Sequence, residues 1–546
     1  MSRLFVDWTK VDEQQLEHLG TEPLYRRGEW HWLTGAAILV VLLSFMVHII
    51  GWLNSSGGWH FTGIIINVPD GHSYIAKMHQ GYDGNWLFRL PFTPEDQRGA
   101  LLYFPYIMLG HIARVSGLSL ALTFHIARAV SNALLIVATY ALAARLNKSI
   151  LIRRLAVLFA LFGSGFGWFL VAFGIFPPDL WLPEAFPFQA MLLNVHFPLA
   201  LALALVVLNL LGSHMDRLSW HRGALAVGVT AILTIVRPEL TVLTLATTGL
   251  TQVLGAWRNR RIPWRTLGWT AAAGTVSSPY ILYTLYILIA DPIFKGWNAQ
   301  NVQLTPPFVQ FGLGYGLIAV LAIVGVSAAL CRRHEDDLLL LVWLGTMLIA
   351  VYLPLQTQRR FSMGMGVVLG LLAAKGWEVL TRRLPVHRVS VWGWLIGAMA
   401  ALTNFVLVGN LCQRVLAHDP QYFLTDGEWT AMEWMAENIP EDAVVLASPD
   451  TSIFIPAWAG QRVVYGHPCE TIRADERRAQ VMAFWTGEMS PDEKNRFLTS
   501  NHVSYVLLGP REEVLGGLLA MEWGNLVFES QDTRVYKLNS AALDAR

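Results

Sequence analysis

Asn67-Val68-Pro69-Asp70-Gly71-His72-Ser73-Tyr74 follows closely on the first long apolar segment of the chain, about 31–53. It places an acidic, histidine-bearing loop just outside a membrane whose remaining segments are strongly apolar. A carboxylate kept near lipid is costly, so it usually has a task. Two compatible readings apply to Asp70. As a helix cap it precedes a helix-like run over 73–79 that stops at Gly81. As a general base it deprotonates or polarises an acceptor hydroxyl at the membrane surface. His72 and Tyr74 are candidate substrate contacts beside it, and Asp70 with His72 alone is too small a ligand set for a metal.

Composition sets the frame around this loop. The 546 residues are 54% hydrophobic and 14% charged, with a mean hydropathy of +0.42, whereas soluble chains carry about a quarter charged residues. The 22 Trp, 26 Phe and 15 Tyr suit aromatic belts at membrane interfaces. A net charge of +1 gives no case for a nucleic-acid footprint. Cys331, Cys412 and Cys469 show neither metal nor redox spacing, which argues against a disulfide framework.

The N-terminal segment, 1–30, is polar and ends in Arg26-Arg27-Gly28-Glu29. The run at 31–53 is too long for a signal-peptide core and reads as a retained transmembrane helix. Further runs of spanning length lie near 119–145, 152–176, 191–213, 222–236, 238–256, 266–290, 309–331, 338–355, 361–381 and 390–414, eleven with the first. Pro238 cannot continue a helical hydrogen-bond ladder, so 222–256 is either two short helices or one broken one.

Basic residues orient the chain. Arg145, Lys148, Arg153 and Arg154 fall in one predicted inner loop, and Arg217 and Arg222 in the next. Arg258, Arg260, Arg261 and Arg265 follow, then Arg332 and Arg333, then Arg382, Arg383 and Arg388. The opposite short loops hold little beyond Lys295 and Arg359-Arg360. This positive-inside pattern predicts a cytoplasmic N-terminus and an extracytoplasmic C-terminus. The expected fold is an all-α polytopic membrane bundle over 31–416, with outer loops 54–118 and 177–190, followed by an extracytoplasmic α/β domain over 417–546. Within the first loop, the semi-apolar stretch 101–110 fits a segment lying along or dipping into the membrane. In the tail, 428–435 reads as an amphipathic helix, and 443–447 and 503–508 as buried strands.

The other candidate site residues are charged groups in apolar surroundings. The loop Phe176-Pro177-Pro178-Asp179-Leu180-Trp181-Leu182-Pro183-Glu184-Ala185-Phe186-Pro187 is stiffened by its prolines and holds two acids without a base. Asp179 is a candidate substrate contact, and Glu184, closely flanked by proline and aromatic residues, is the second candidate catalytic residue. His196, in Asn194-Val195-His196-Phe197-Pro198, sits near the outer end of the next helix. Arg237 and Glu239 flank a proline break, an expensive pair unless it is neutralised or faces a wet cavity. Arg359 and Arg360 break the positive-inside bias, at a depth where a lipid phosphate would sit, and guanidinium suits bidentate phosphate binding. The tail carries Asp450, His467, Glu470 and Asp475 without a nucleophile–base–orienter pattern; its expected part is to cover the site or bind acceptor.

In plan, the chain resembles the GT-C glycosyltransferases, which include protein mannosyltransferases, aminoarabinose transferases and oligosaccharyltransferase catalytic subunits. The plan is an inside N-terminus, a large acidic first outer loop, a shorter acidic second loop and a soluble outer domain at the end. The resemblance implies an integral protein of a bacterial plasma membrane that moves a sugar, with inversion, from a polyprenyl-phosphate-linked donor to a glycan, lipid or protein acceptor. It implies Asp70 as base, Asp179 or Glu184 as the assisting or metal-binding acid, and Arg359 or Arg360 at the lipid phosphate. No cofactor is certain, and a divalent metal is compatible with the resemblance. Pro69-Asp70-Gly71 departs from the paired Asp-Glu of protein mannosyltransferases, and the tail lacks the Trp-Trp-Asp motif of oligosaccharyltransferases, which disfavours N-glycosylation. The rival readings are a polytopic transporter or lipid flippase, supported by the break at Pro238, and an envelope-assembly subunit.

Overall fold

The computed structural model describes residues 27–213, 218–332, 335–516 and 524–539. Most of the N-terminal segment, together with Arg217 and Arg333 of the inner loops, lies outside them. Helix dominates, as the apolar runs predict. Among the described residues, seven helical segments are long and apolar enough to cross a bilayer: Gly28–Leu53, Leu120–Leu146, Ile150–Phe173, Pro238–Asn259, Trp264–Ala290, Phe308–Arg332 and Gln358–Thr381. The bent pair Val386–Ala400 and Leu402–Leu416, angled by 43°, makes an eighth if it is one span. The protein is an integral membrane protein. The segments expected at 191–213, 222–236 and 338–355 form the shorter helices His196–Leu211, Trp220–Val236 and Glu335–Ala350. At 16 or 17 residues each they reach about 25 Å, short of about 30 Å of hydrocarbon. Among the described residues, length and apolar character thus support seven or eight spans and do not confirm the expected count of about eleven. The question left open at Pro238 resolves into two helices, Trp220–Val236 and Pro238–Asn259, with Arg237 between them in a non-helical conformation.

The chain divides into two compact units. The first takes in residues up to Phe45, Arg128–Ile281 and Gln303–Asn410. Helix Phe308–Arg332 packs closely along Met365–Thr381, which also packs on Ile150–Phe162. Charged groups in this unit are paired: the buried Arg153 with Glu29 at 2.9 Å, and the partly buried pairs Lys375 with Asp337 at 2.6 Å and Arg145 with Asp336 at 3.1 Å. Arg128, wholly buried, donates to the carbonyls of Leu192 (2.9 Å) and Met191 (3.2 Å). It thereby satisfies acceptors that the short helix Pro187–Leu193 leaves open where it ends.

The second unit comprises Met46–Ala127, Leu282–Val302 and the chain from Leu411 onward. Strand β1 (Trp59–Phe61) pairs antiparallel with β2 (Phe423–Thr425). Beyond β2, helix Asp426–Asn438 starts in a capping box made by Thr425 and Glu428. The sheet that follows contains β3 (Val444–Leu446), β4 (Arg462–Val463), β5 (Val503–Leu508), β6 (Gly524–Ser530) and β7 (Thr533–Leu538), in the order β4-β3-β5-β7-β6. β3 runs parallel to both β4 and β5, while β7 is antiparallel to β5 and β6. Val444, Leu446, Val481, Phe484, Trp485, Leu498 and Val506 form its core, so the buried strands expected in the tail are present.

The loop bearing Asp70 becomes helix Val68–Asp83, longer at both ends than the expected 73–79. Asn67 takes the N-cap position with φ 46°, and Pro69 fits the first turn, where no backbone N–H is needed. Asp70 is thus the third helical residue rather than the cap, which puts its carboxylate at the positive end of the helix dipole. Gly81 does not stop the helix. It admits a second helix, Phe104–Ser116, which is the semi-apolar stretch of the first loop. A Cβ at Gly81 would lie 2.1 Å from the Ile107 carbonyl oxygen, and one at Gly110 would lie 1.9 Å from that of Met78. Gly110→Ala is expected to cost about 1–3 kcal/mol, read as a lowered Tm in detergent; an unchanged Tm would refute this backbone-to-backbone packing.

Candidate active site

Helix Val68–Asp83 presents Asp70, Ser73 and Lys77 at spacing i, i+3 and i+7, on one face. In the same unit, the turn His467-Pro468-Cys469-Glu470-Thr471 meets that face. His467 Nε2 lies 3.1 Å from Asp70 Oδ1, and the Asn67 side-chain amide donates to Oδ2. Glu470 Oε1 accepts from Ser73 Oγ at 2.6 Å and from Lys77 Nζ at 2.8 Å. Lys77 is fully buried and lies over the rings of Tyr103 (4.2 Å), Phe88 (5.1 Å) and Tyr74 (5.5 Å). Burial pulls its pKa down, and the charges of Glu470 and Asp70 partly offset this. Asp70 is 37% exposed, in contrast to the 2% of His467, so the carboxylate faces outward from a buried support.

His72 and Tyr74, expected beside Asp70 as substrate contacts, turn into the core of this unit. Tyr74 stacks on Tyr106 with ring centroids 4.6 Å apart. His72 is completely buried, edge-on to Phe454 at 4.7 Å, with no hydrogen-bond partner for either ring nitrogen. Burial, aided by the Arg511 charge, pushes its pKa from 6.5 to about 3. The unfolded chain therefore binds a proton that the folded one excludes, and stability falls as pH drops below 6.5. At about pH 5 the loss is about 2 kcal/mol. Replacing His72 by Leu should remove this part of the acid sensitivity, measured as the difference between the two proteins' unfolding free energies at pH 7 and pH 5. Equal slopes would refute it.

In the first unit the candidate residues form two ion-pair groups. Arg237 Nη1 lies 3.2 Å from His196 Nε2, and its Nε is 3.9 Å from Glu239. Glu239 is held more closely by Arg360, at 2.8 Å, and Arg360 Nε also donates to Gln303 Oε1 at 3.1 Å. Arg359 pairs with the buried Glu184 at 3.2 Å and lies over the Trp181 ring. Three guanidinium groups thus face two carboxylates, which leaves a positive balance. The Nε atoms of Arg237 and Arg359 are buried without a hydrogen-bond acceptor. Arg237 stands at the single non-helical position between two helices of 17 and 22 residues.

Asp179 has a different part. It is buried, and its Oδ2 accepts from the N–H groups of Gly165 and Gly167, both at 3.0 Å, and from Thr403 Oγ1 at 2.8 Å. Burial raises its pKa, and these hydrogen bonds oppose the rise. Among the described residues no group of three His, Cys, Asp or Glu side chains converges as metal ligands. Asp179 Oδ2 is tied to backbone N–H groups and Thr403, and Glu184 Oε1 to Arg359, while Asp179 Oδ1 and Glu184 Oε2 are buried without a hydrogen-bond partner.

Sequence reasoning named His467 and Glu470 without partners, and it missed Lys77 and Ser73. The available signal was the i, i+3, i+7 spacing from Asp70, which places a serine and a lysine on the carboxylate's own helix face.

No protein-family model and no curated protein matches the sequence. Solved structures do match. ArnT from Cupriavidus metallidurans bound to undecaprenyl phosphate is similar over 95% of this chain and 99% of its own, at 12% identity and a TM-score of 0.55. The oligosaccharyltransferase AglB from Archaeoglobus fulgidus, in complex with an inhibitory peptide and a dolichol-phosphate, is similar over 88% of this chain and 70% of its own, at 14% identity and a TM-score of 0.51. The chain has the GT-C fold. The arabinofuranosyltransferase AftD from mycobacteria shares it over 93% of this chain and 42% of its own, at 15% identity and a TM-score of 0.51. At such identities the likeness is one of GT-C architecture alone.

Proposed function

We propose that this GT-C protein is an integral-membrane glycosyltransferase acting on the extracytoplasmic face of a bacterial plasma membrane, with the N-terminus cytoplasmic and residues 417–546 extracytoplasmic. It moves a sugar from a polyprenyl-phosphate-linked donor to a glycan, lipid or protein acceptor. The observation that carries this reading is Asp70: a partly exposed carboxylate at the first turn of a helix, held by a buried histidine. The fold supports it, since similar structures hold undecaprenyl phosphate or a dolichol-phosphate.

In this reaction Asp70 takes the proton from the acceptor hydroxyl or amine. The acceptor attacks the anomeric carbon, the bond from that carbon to the phosphate oxygen breaks, and polyprenyl phosphate leaves with the electron pair. Attack opposite the leaving group inverts the anomeric configuration. Departure of a phosphate calls for charge stabilisation more than for acid catalysis. Within the first unit, Arg359 and Arg360, with Arg237, form a group of positive balance of the kind that suits a lipid phosphate. Glu184 and Glu239 hold these guanidinium groups in place, which gives Glu184 a supporting part rather than that of a second base.

The test uses purified protein in nanodiscs, offered a panel of polyprenyl-phosphate sugars, with free polyprenyl phosphate and the product's anomeric configuration as readouts. Release with inversion is the expected result. Retention would remove the direct displacement, and movement of a lipid-linked sugar between leaflets without release would replace the enzyme by a flippase.

A further inference from the structure

His467 has both ring nitrogens engaged, and the two engagements differ in kind. Nδ1 lies 3.0 Å from the backbone N–H of Cys469 and 3.0 Å from that of Glu470. Backbone N–H groups only donate, so Nδ1 must offer a lone pair. The ring proton then sits on Nε2, which faces Asp70 Oδ1 at 3.1 Å. We infer that His467 is a positioning residue for Asp70, its tautomer set by the turn that carries it, so that the C-terminal segment forms part of the catalytic apparatus rather than only a cover. This rests on the reading of Asp70 as the base.

The turn is built to keep that geometry. Thr471 Oγ1 accepts from the N–H groups of Gly466 (3.3 Å) and His467 (3.2 Å), and the Thr471 N–H returns to the His467 carbonyl at 3.0 Å. Gln300 donates its side-chain amide to the carbonyl oxygens of Cys469 and Thr471. Three residues past the histidine, Glu470 grips Ser73 and Lys77 one and two helical turns beyond Asp70, on the same face. The helix and the turn are thus joined at three points, and the imidazole lies at the Asp70 end of that seam. Two backbone N–H groups hold Nδ1 in the acceptor role. His467 therefore acts as a donor that orients the carboxylate, and the acceptor's proton goes to Asp70.

Two isosteres separate the two nitrogens. Gln at 467 keeps a donor near the place of Nε2, whereas Asn keeps an acceptor near the place of Nδ1 and loses the donor. If His467 positions Asp70, His467→Asn keeps the turn and the Tm but loses about 100-fold in turnover, while His467→Gln retains most of the turnover even where its Tm falls. Turnover that follows Tm, with Asn equal to or better than Gln, would overturn the inference and leave His467 as a packing residue. Imidazole nitrogen NMR of histidine-labelled wild type, assigned with His467→Gln, reads the tautomer without any donor sugar. A ring protonated on Nε2 is expected, and one protonated on Nδ1 would also overturn the inference. Full turnover by Asp70→Asn would remove the base itself, a failure distinct from that of His467.

Discussion

Replacing Asp70 by Asn should lower polyprenyl-phosphate release by about 100- to 10,000-fold while leaving the protein folded. The amide matches the carboxylate in shape, and its carbonyl oxygen still accepts from His467 Nε2. The structural losses are a negative charge at the helix N-terminus, about 0.3–1 kcal/mol, and the hydrogen bond that the Asn67 amide donates to Oδ2, about 0.5–1.5 kcal/mol. The amide cannot take the acceptor's proton, so the chemical step loses its base while the support stays in place. Turnover and Tm should therefore separate: the first collapses and the second falls by only a small amount. If turnover survived, Asp70 would be a helix-terminal charge and no more, and Glu239 or Glu184 would be the next carboxylate to test.

Removing Glu470 should be the most damaging change for stability. Lys77 is fully buried, with Glu470 as its carboxylate partner and aromatic rings around it. Glu470→Leu leaves an ammonium in that setting, at a cost of about 3–5 kcal/mol. Burial already lowers the Lys77 pKa, and Glu470 is the main influence raising it. Without it the lysine sheds its proton more readily, which limits the loss. The unfolded chain then binds the proton that the folded one gives up, so the deficit grows as pH falls and shrinks as pH rises. Lys77→Met alone strands the carboxylate instead. The double variant removes both charges and should recover most of the loss, since a buried ion pair breaks about even against apolar replacements. Additive losses would show that the pair is not what joins the helix to the turn.

Much of the architecture is legible locally, because the forces behind it are local. Transfer of about twenty apolar residues into hydrocarbon depends on their own side chains, and that is why runs such as 266–290 and 309–331 can be read as spans. The tail's helix and strands follow from periodicity and a capping box over a dozen residues. Errors came where neighbours intervene. Gly81 looked like a helix stop, yet it is a contact point for the Ile107 backbone. His72, two residues on from Asp70, is turned by about 200° and into the core, whereas Tyr74, at i+4 on the side of Asp70, is taken up by stacking on Tyr106.

By itself, then, the sequence determined a membrane bundle with a mixed α/β tail, the acidic first loop, and Asp70 as the carboxylate to examine. Only the tertiary structure decided what holds that carboxylate. His467 meets Asp70 across 397 residues, Glu470 meets Lys77 across 393, and Arg360 meets Glu239 across 121. Pairings at such separations leave no periodic trace, because each partner satisfies its own local rules whether or not the other is near. They form when folding places a buried lysine, carboxylate or imidazole where nothing but its partner can satisfy it.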